Sequence, residues 1–423
     1  MTQKRSKDIL PSLLDALPSA IIPDDVDVAS IASSFANSLA RLSASDFAEV
    51  AIWRDCFALT GTPRTVSEVY RNRCLARRAQ LFIVQADEAH VVRISPSCSW
   101  IDVPFRFEAN ASPAACCSGV LSLIPSGENG DYRIWMLQTL LDRFREYPSV
   151  DTLDTTTQRP SRIWTRSELQ SGTWDDSHAQ WTLKVRQTTA GSELIKILTC
   201  RHVVLATGGP CNKPHKPFYP GEERFKGVVQ HSARYHNARN WKGQRGVVVG
   251  TANTEILNDH TPLETSDRTL FARPLAVSRL ITMAALNSQA EAEPERFAAL
   301  ERAGFRTERY GDLISLLSER FGGHYLDTGA SAKIGQGLIK VKSDSRLVSY
   351  AEDGLLFEDG THLPADVVIY ATGYTGSLRD SVREYFGEGI YAQVEDYWGI
   401  NQEGELKGAY VPTGRMFPER CVH

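Results

Sequence analysis

Long apolar runs are missing from this chain. No stretch reaches the ~18 residues of a membrane span. Leu270 to Leu286 comes nearest, but Arg273 and Arg279 interrupt it. It reads as a buried or amphipathic helix, and no membrane partner is expected. Charge of one sign is also scarce. The net charge is −4, with no block of like charges. That argues against a nucleic-acid partner, whose footprint would be a basic patch or stripe. Eight cysteines, at 56, 74, 98, 116, 117, 200, 211 and 421, form no C-x-x-C pair. In a long chain without a signal peptide they are expected as free thiols. Cys116 and Cys117 fall in an apparent strand, where neighbouring side chains face opposite ways, and this argues against a bridge between them. Ten histidines show no H-x-x-x-H spacing and no Cys/His cluster, so no metal site is expected. The N-terminus, Met1-Thr2-Gln3-Lys4-Arg5, is basic, but Pro11, Asp15 and Pro18 break up any apolar core of signal-peptide length. A cytosolic location is the expectation.

The rest of the composition is that of ordinary globular protein: 42% hydrophobic and 23% charged residues over 423 positions. That length allows about two to three domains at roughly 150 residues each. The core can be large enough to need no disulfide or metal staple. Residues 1–27, rich in Pro and Asp, read as an irregular lead-in. The spacing of Val28, Ile31, Ala32, Phe35 and Leu39 predicts a helix over 28–42. Ser45 and Asp46 then read as the N-cap of a second helix carrying Phe47, Val50 and Trp53. From about residue 78 the pattern predicts strands over 79–85, 90–95, 100–108, 115–124 and 132–140. Helices followed by a run of strands predict an α+β domain over 28–150. Asp151 to Arg166 is polar and reads as a linker. Over 167–423 strands and helices alternate. A hairpin from 181–187 and 195–205 leads to a buried strand, a short strand covers 246–250, helices span 274–321 with a break near Pro294, and a buried strand covers 366–371. Such alternation predicts a doubly wound α/β sheet.

Four features of this second region bear on chemistry. The first is a run from His202 through Val203, Val204 and Leu205 into Ala206-Thr207-Gly208. Small residues there let a ligand approach the backbone closely. The second is F-x-G-x-x-x-H-x-x-x-Y, made by Phe225, Gly227, His231 and Tyr235. The third is a strand from Arg245 into Gly250-Thr251-Ala252-Asn253. In a dinucleotide fold the first small residue makes the turn, the next admits pyrophosphate, and the helix N-terminus supplies N–H groups. Glu255 stands where a small packing residue belongs, and Thr261-Pro262 cuts the helix short. The fourth is the strand from Asp366 into Ala371-Thr372-Gly373-Tyr374.

In this order the four features resemble flavin-containing monooxygenases and their Baeyer–Villiger relatives, the class B flavoprotein monooxygenases. The resemblance covers residues 162–410, and the segments Pro274 to Arg279 and Arg320 to Tyr325 add to it. More loosely, residues 28–150 resemble the NTF2-like (SnoaL-like) cone that extends some fungal monooxygenase-like proteins. The implied fold is an α+β NTF2-like cone followed by an α/β doubly wound, Rossmann-like, two-dinucleotide-binding region. The implied chemistry has NADPH reducing FAD, O2 adding at the flavin, and one oxygen passing to a small organic molecule, with a place in secondary metabolism. Oligomerisation is compatible with it. The resemblance assigns pyrophosphate contact to Gly250, Ala252 and Asn253. It assigns junction roles to Phe225, Gly227, His231 and Tyr235, and cofactor-side turns to Thr207, Gly208, Thr372 and Gly373. No spacing marks a catalytic acid or base.

One expected motif is absent. The family opens its FAD domain with G-x-G-x-x-G, and no such triplet occurs anywhere in the sequence. The α/β region is therefore expected to be incomplete, and tight FAD binding lacks its usual helix N-terminus. A truncated inactive relative, a gene-model artefact and a scaffold retained for other chemistry all remain open. So does a flavin-free enzyme or binding module that uses the front cone as its pocket, with Asp55, Tyr70, His90 and Asp102 as candidate residues. An inactive partner of an intact homologue is a further possibility.

Overall fold

A computed structural model describes residues 16–56, 58–59, 68–127, 131–148, 163–189, 191–207, 213–250, 272–320, 322–325, 327–401 and 406–408. The chain divides into two compact units. The first comprises Met1–Ile163, Asn258–Ala285 and Ile400–His423, and the second comprises Trp164–Leu257 and Leu286–Gly399.

The first unit begins with part of the lead-in, which is irregular but anchored. Ile22 is buried, and its N–H donates to Ser99 Oγ at 2.8 Å. Helix α1 (Val28–Ser34) starts where the Asp27 side chain accepts from the Ser30 N–H at 3.0 Å, an ordinary N-cap. It ends earlier than the apolar spacing suggests. Ser33 and Ser34 turn their hydroxyls back onto the carbonyls of Ala29 and Ile31, both at 2.7 Å, and such bonds compete with the helix ladder. Phe35 and Leu39 are nevertheless buried.

The predicted second helix is a strand. Residues Phe47–Cys56 form β1, which runs parallel to β6 (Asp131–Phe144) with Ile52 opposite Met136 and Cys56 opposite Leu140. Phe47, Val50 and Trp53 fit a spacing of three, but Val50 is exposed while Trp53 and Asp55 share the buried face. That is the two-residue period of a strand. Helix α2 (Glu68–Ala76) follows, and then β2 (Ala79–Val84), β3 (His90–Ser95), β4 (Cys98–Ala109) and β5 (Ala115–Ser126). The five strands predicted from residue 78 onward are all present. They make a six-stranded sheet in the order β1-β6-β5-β4-β2, with β3 paired to β4.

Strand alternation gives this sheet two different faces. Val103, Phe105, Leu121 and Leu137 join Ala32, Leu39, Tyr70 and Cys74 from the helices in one large core. On the opposite face Trp100 and Met136 pack against Val277 and Ile281. These belong to helix α3 (Leu275–Ala292), which Pro294, first residue of α4 (Pro294–Arg302), separates from its successor. Proline suits the first helical position because its missing N–H has no partner to lose there. Cys117 is buried in the core and Cys116 only half-buried, as strand alternation requires.

Among its described residues the second unit holds four small sheets. Strands β7 (Ser167–Asp175), β8 (Gln180–Thr189) and β9 (Ser192–Cys200) form an antiparallel meander. The parallel sheet contains β11 (Val228–His231), β12 (Gly246–Val249) and, between them, β16 (Val367–Tyr370). Val367, Val368 and Tyr370 are buried, as a central parallel strand requires. Strands β13 (Leu347–Ala351), β14 (Gly354–Phe357) and β15 (His362–Pro364) form a second meander. Its Tyr350, Leu355 and Phe357 cover one face of the parallel sheet through Val368 and Tyr370. Tyr350 and Tyr370 share a hydrogen bond at 2.7 Å inside this core.

Two expectations need correction here. The parallel sheet has three strands among the described residues, a fragment of a doubly wound sheet, and the valines at 228 and 248 on its edge strands are exposed. The run predicted as a buried strand through 203–205 is not a strand: β9 stops at Cys200, and Val204 is 85% exposed. The cause is missing context. An apolar strand is buried only where neighbouring strands flank it, and the βαβ unit with the G-x-G-x-x-G turn that would supply one is absent from the sequence.

Candidate functional site

In open α/β sheets ligands bind outside the carboxyl ends of the strands. In the parallel sheet those ends are His231, Val249-Gly250 and Tyr370-Ala371. Gly250 follows β12 with φ +94°, and a Cβ placed there would lie 2.6 Å from the Ala371 carbonyl oxygen. Only glycine meets both conditions without strain. The Ala371 N–H donates to Val249 O at 2.8 Å, so the two turns are joined backbone to backbone.

His231 secures the second A-T-G turn. Its Nδ1 accepts from the Ala233 N–H at 3.1 Å, so Nε2 carries the proton and donates to Gly373 O at 2.9 Å. Both ring nitrogens are thereby committed. Tyr374 meets the ring edge-on, with centroids 5.5 Å apart. From the other side the His215 N–H donates to the same Gly373 carbonyl at 2.9 Å, and Thr372 Oγ1 donates to His215 O. Strand β10 (Lys213–Pro214) pairs with β17 (Tyr374–Thr375) and extends this clamp. The result is a rigid backbone platform flanked by an exposed aromatic ring. Its histidine positions the turn and has no free nitrogen for proton transfer.

The geometry predicts that His231→Ala costs about 1–3 kcal/mol, the penalty for orphaning buried polar groups. His231→Gln, which can return an Nε2 donor to Gly373, should retain part of that stability in urea denaturation. Equal losses for both variants would remove the donor to Gly373 as the reason for the histidine.

Of the residues singled out from the sequence, Gly250, His231, Thr372 and Gly373 come together at this edge. Phe225 and Gly227 lie at the other end of β11. Phe225 is buried, 5.3 Å from the Tyr350 ring, and a Cβ on Gly227 would meet Asp366 O at 2.3 Å. These two residues pack the sheet's amino end. Asp366 is also gripped there by Arg245, through Nε at 3.1 Å and Nη2 at 2.8 Å; the Arg245 side-chain bond holds the Asp366 carboxyl down to about 2. Tyr235 is exposed and stacks on Trp241 at 5.8 Å. Thr207 lies exposed in the unpaired stretch after β9. Gly208, Ala252 and Asn253 fall outside the described residues. Sequence reasoning missed His215, which no spacing marks.

The candidates of the first unit separate onto opposite faces of its sheet. On the helix side, Asp55 accepts from Thr139 Oγ1 at 2.6 Å and from the Leu59 N–H at 3.1 Å, and Trp53 Nε1 donates to Thr139 Oγ1 at 3.0 Å. Tyr70 is fully enclosed. Burial, with the nearby Cys74, pushes its phenol well above the usual value, and burial pushes the Cys74 thiol up to about 12. Burial therefore favours the neutral form of both groups. On the other side, Asp102 accepts from Trp100 Nε1 at 2.9 Å and from Ser122 Oγ at 2.6 Å. Burial raises its carboxyl despite those donors and the more distant charge of Arg273. His90, opposite Asp102 across β3 and β4, is exposed, with Nδ1 3.1 Å from Glu88 O.

Asp102 predicts a pH effect. A carboxyl raised in the folded state contributes fully below its unfolded pKa, about 3.9. That contribution is lost as pH rises through the folded value. Asp102→Asn keeps an acceptor for both donors and removes the titration. The melting temperature of the variant relative to the native protein should therefore climb between pH 4 and 7. A flat difference would count against a raised Asp102.

No family model matches the chain. An FAD-binding monooxygenase, stcW of Emericella nidulans, is 22% identical over 303 residues, covering 58% of this chain and 48% of that protein. The indole-3-pyruvate monooxygenase YUCCA4 of Oryza sativa subsp. japonica is 25% identical over 399 residues, covering 79% of this chain and 87% of that protein. In sequence the chain is similar to class B flavin-dependent monooxygenases. Among solved structures, the flavin-containing monooxygenase from Stenotrophomonas maltophilia aligns with a TM-score of 0.30 at 16% identity, over 58% of this chain and 60% of that one. The matched part of this monooxygenase relative spans 48% and 59% of the first two curated relatives. Of the two A-T-G runs, the second is the one whose strand lies in the parallel sheet among the described residues.

Proposed function

We propose that the protein is an oxidoreductase related to the flavin monooxygenases that binds NADPH at the carboxyl edge of its parallel sheet and acts on a small organic molecule. The observation that carries this reading is the junction of Gly250 with Ala371, locked by His231 on Gly373. It offers glycine backbone without side-chain obstruction where a dinucleotide phosphate would approach. Gly250 would meet the pyrophosphate, with Ala252 and Asn253 beyond it in the turn. FAD is the cofactor for which stcW is named. The residues of this chain do not fit it at the expected place: the G-x-G-x-x-G turn is absent and the run into the first A-T-G is unpaired and exposed.

The first unit adds a second element to the proposal. Helices on one face of a sheet whose first strand runs parallel to its last support an NTF2-like cone. A place in secondary metabolism rests on the resemblance alone. The test is a titration of the purified protein with NADPH, followed by nicotinamide fluorescence, with an absorbance spectrum after incubation with FAD. Saturable NADPH binding with a Kd below about 100 µM, roughly 5.5 kcal/mol of binding free energy, is expected. No saturation up to ~1 mM would refute the nucleotide site. A stable yellow complex with FAD would overturn the conclusion that its cradle is missing.

A further inference from the structure

The face of the first unit's sheet that turns away from α1 and α2 carries a cavity of about 540 Å³. The strand registers put Arg106 opposite Ser118, Ser118 opposite Leu140, and Val120 opposite Gln138. All of these line the cavity, and Leu81 and Ile83 of β2 form one wall with exposed side chains. A volume of this size suits a small organic ligand.

One polar atom of a lining residue is unaccounted for. Gln138 is 1% exposed, and its Oε1 has no hydrogen-bond partner among the described residues. Its Nε2 reaches only Met136 Sδ, at 3.8 Å, a weak acceptor. A buried acceptor without a donor costs about 1–3 kcal/mol. Such a group on a cavity wall is better explained by a ligand than by packing. The neighbouring polar groups have protein partners. Ser118 Oγ donates to Asp142 Oδ1 at 2.8 Å, Arg106 Nε donates to Gln85 Oε1 at 3.1 Å, and Arg143 Nη1 caps the Tyr147 carbonyl at 3.1 Å. Charges around the cavity are mixed: Arg106 and Arg143 stand against Glu88, Glu108 and Asp142. An ionic ligand would find no single-sign field, and the remaining surface is apolar, through Val120, Leu140, Leu81 and Ile83.

We propose that this cavity binds an uncharged, largely apolar small molecule that donates one O–H or N–H to Gln138 Oε1. The site lies wholly within the first unit, goes beyond the nucleotide reading, and stands or falls without it. None of Asp55, Tyr70, His90 or Asp102 lines it.

The test uses 2-naphthol and 2-methoxynaphthalene, which share one aromatic body and differ in the donor. Each is titrated by calorimetry into the full chain. The native protein should bind the naphthol about 10-fold more tightly than the ether, the worth of one net hydrogen bond. Gln138→Met should bring the naphthol to the ether's affinity and leave the ether within about 2-fold. Val120→Phe, which fills the cavity from the strand position opposite Gln138, should weaken both by at least about 10-fold. Each variant is compared at native circular dichroism. If Gln138→Met does not fold, the native probe pair and Val120→Phe decide the matter. Absence of binding at ~1 mM, equal affinity of the two probes for the native protein, or binding that survives Val120→Phe would each overturn the proposal.

Discussion

Trp53→Ala is expected to destabilise the first unit by about 3–5 kcal/mol, the usual cost of truncating a fully buried tryptophan. Three separate losses add up at this position. The indole is 1% exposed, so its removal leaves a cavity between β1 and the helices. Its ring stands perpendicular to Tyr70, with centroids 5.4 Å apart and an 88° angle between planes, a geometry worth about 0.5–1.5 kcal/mol beyond area burial. Its Nε1 donates to Thr139, which in turn donates to Asp55. The chain of donors orients a buried carboxylate, and breaking its first link loosens the rest. Urea denaturation followed by far-ultraviolet circular dichroism measures the effect. With a slope of about 2 kcal/mol per molar urea, the midpoint of the affected transition should fall by roughly 1.5–2.5 M. Trp53→Phe should recover part of the loss, because it keeps a six-membered aromatic ring and forfeits the pyrrole ring and its hydrogen bond. A drop below about 1 kcal/mol for alanine would mean that Trp53 is not the keystone of this core.

The same residue shows what the sequence could and could not disclose. Phe47, Val50 and Trp53 satisfy a helical spacing, and the period-two reading that places Trp53 and Asp55 together is equally available in Phe47–Cys56. Burial decides between them, and burial depends on β6, some 80 positions away in the chain. The later strands of this unit were legible because each carries its own turn residues and alternation. In the second unit the A-T-G turns were both legible as patterns, but a pattern becomes a strand only beside a partner. Val367–Tyr370 has β11 and β12 on its flanks, whereas the run through Val204 has no partner strand among the described residues and is exposed. The positioning role of His231 was visible as a motif. Its partner Gly373 is 142 positions away, and His215 carries no spacing signal at all. Buried polar residues in apolar strands, such as Ser122, Gln138 and Thr139, were the readable hint that the sheet holds internal networks.

Gly250→Ala is expected to be a strongly damaging conservative change in the second unit. Two terms oppose it. The φ of +94° lies in the region where a Cβ costs an L-residue roughly 1–2 kcal/mol. The new methyl would also lie 2.6 Å from the Ala371 carbonyl oxygen. That oxygen belongs to a backbone fixed by the Ala371 N–H on Val249 O, so the turn itself has to move. Together they put the loss at about 3 kcal/mol or more. The effect should be local, because the strain falls where β12 and β16 end. Hydrogen exchange at the Ala371 amide should accelerate by roughly 100-fold, the rate equivalent of about 2.7 kcal/mol of opening free energy. Gly246→Ala is the control on the same strand: a Cβ there meets nothing within 4 Å, and its effect should stay within about 0.5 kcal/mol. Nucleotide binding separates structure from function. If Gly250 is the point of phosphate approach, Gly250→Ala abolishes NADPH binding while Gly246→Ala leaves it intact. Retained NADPH affinity in a Gly250→Ala protein with a demonstrably loosened turn would place the nucleotide elsewhere and leave Gly250 a purely structural glycine.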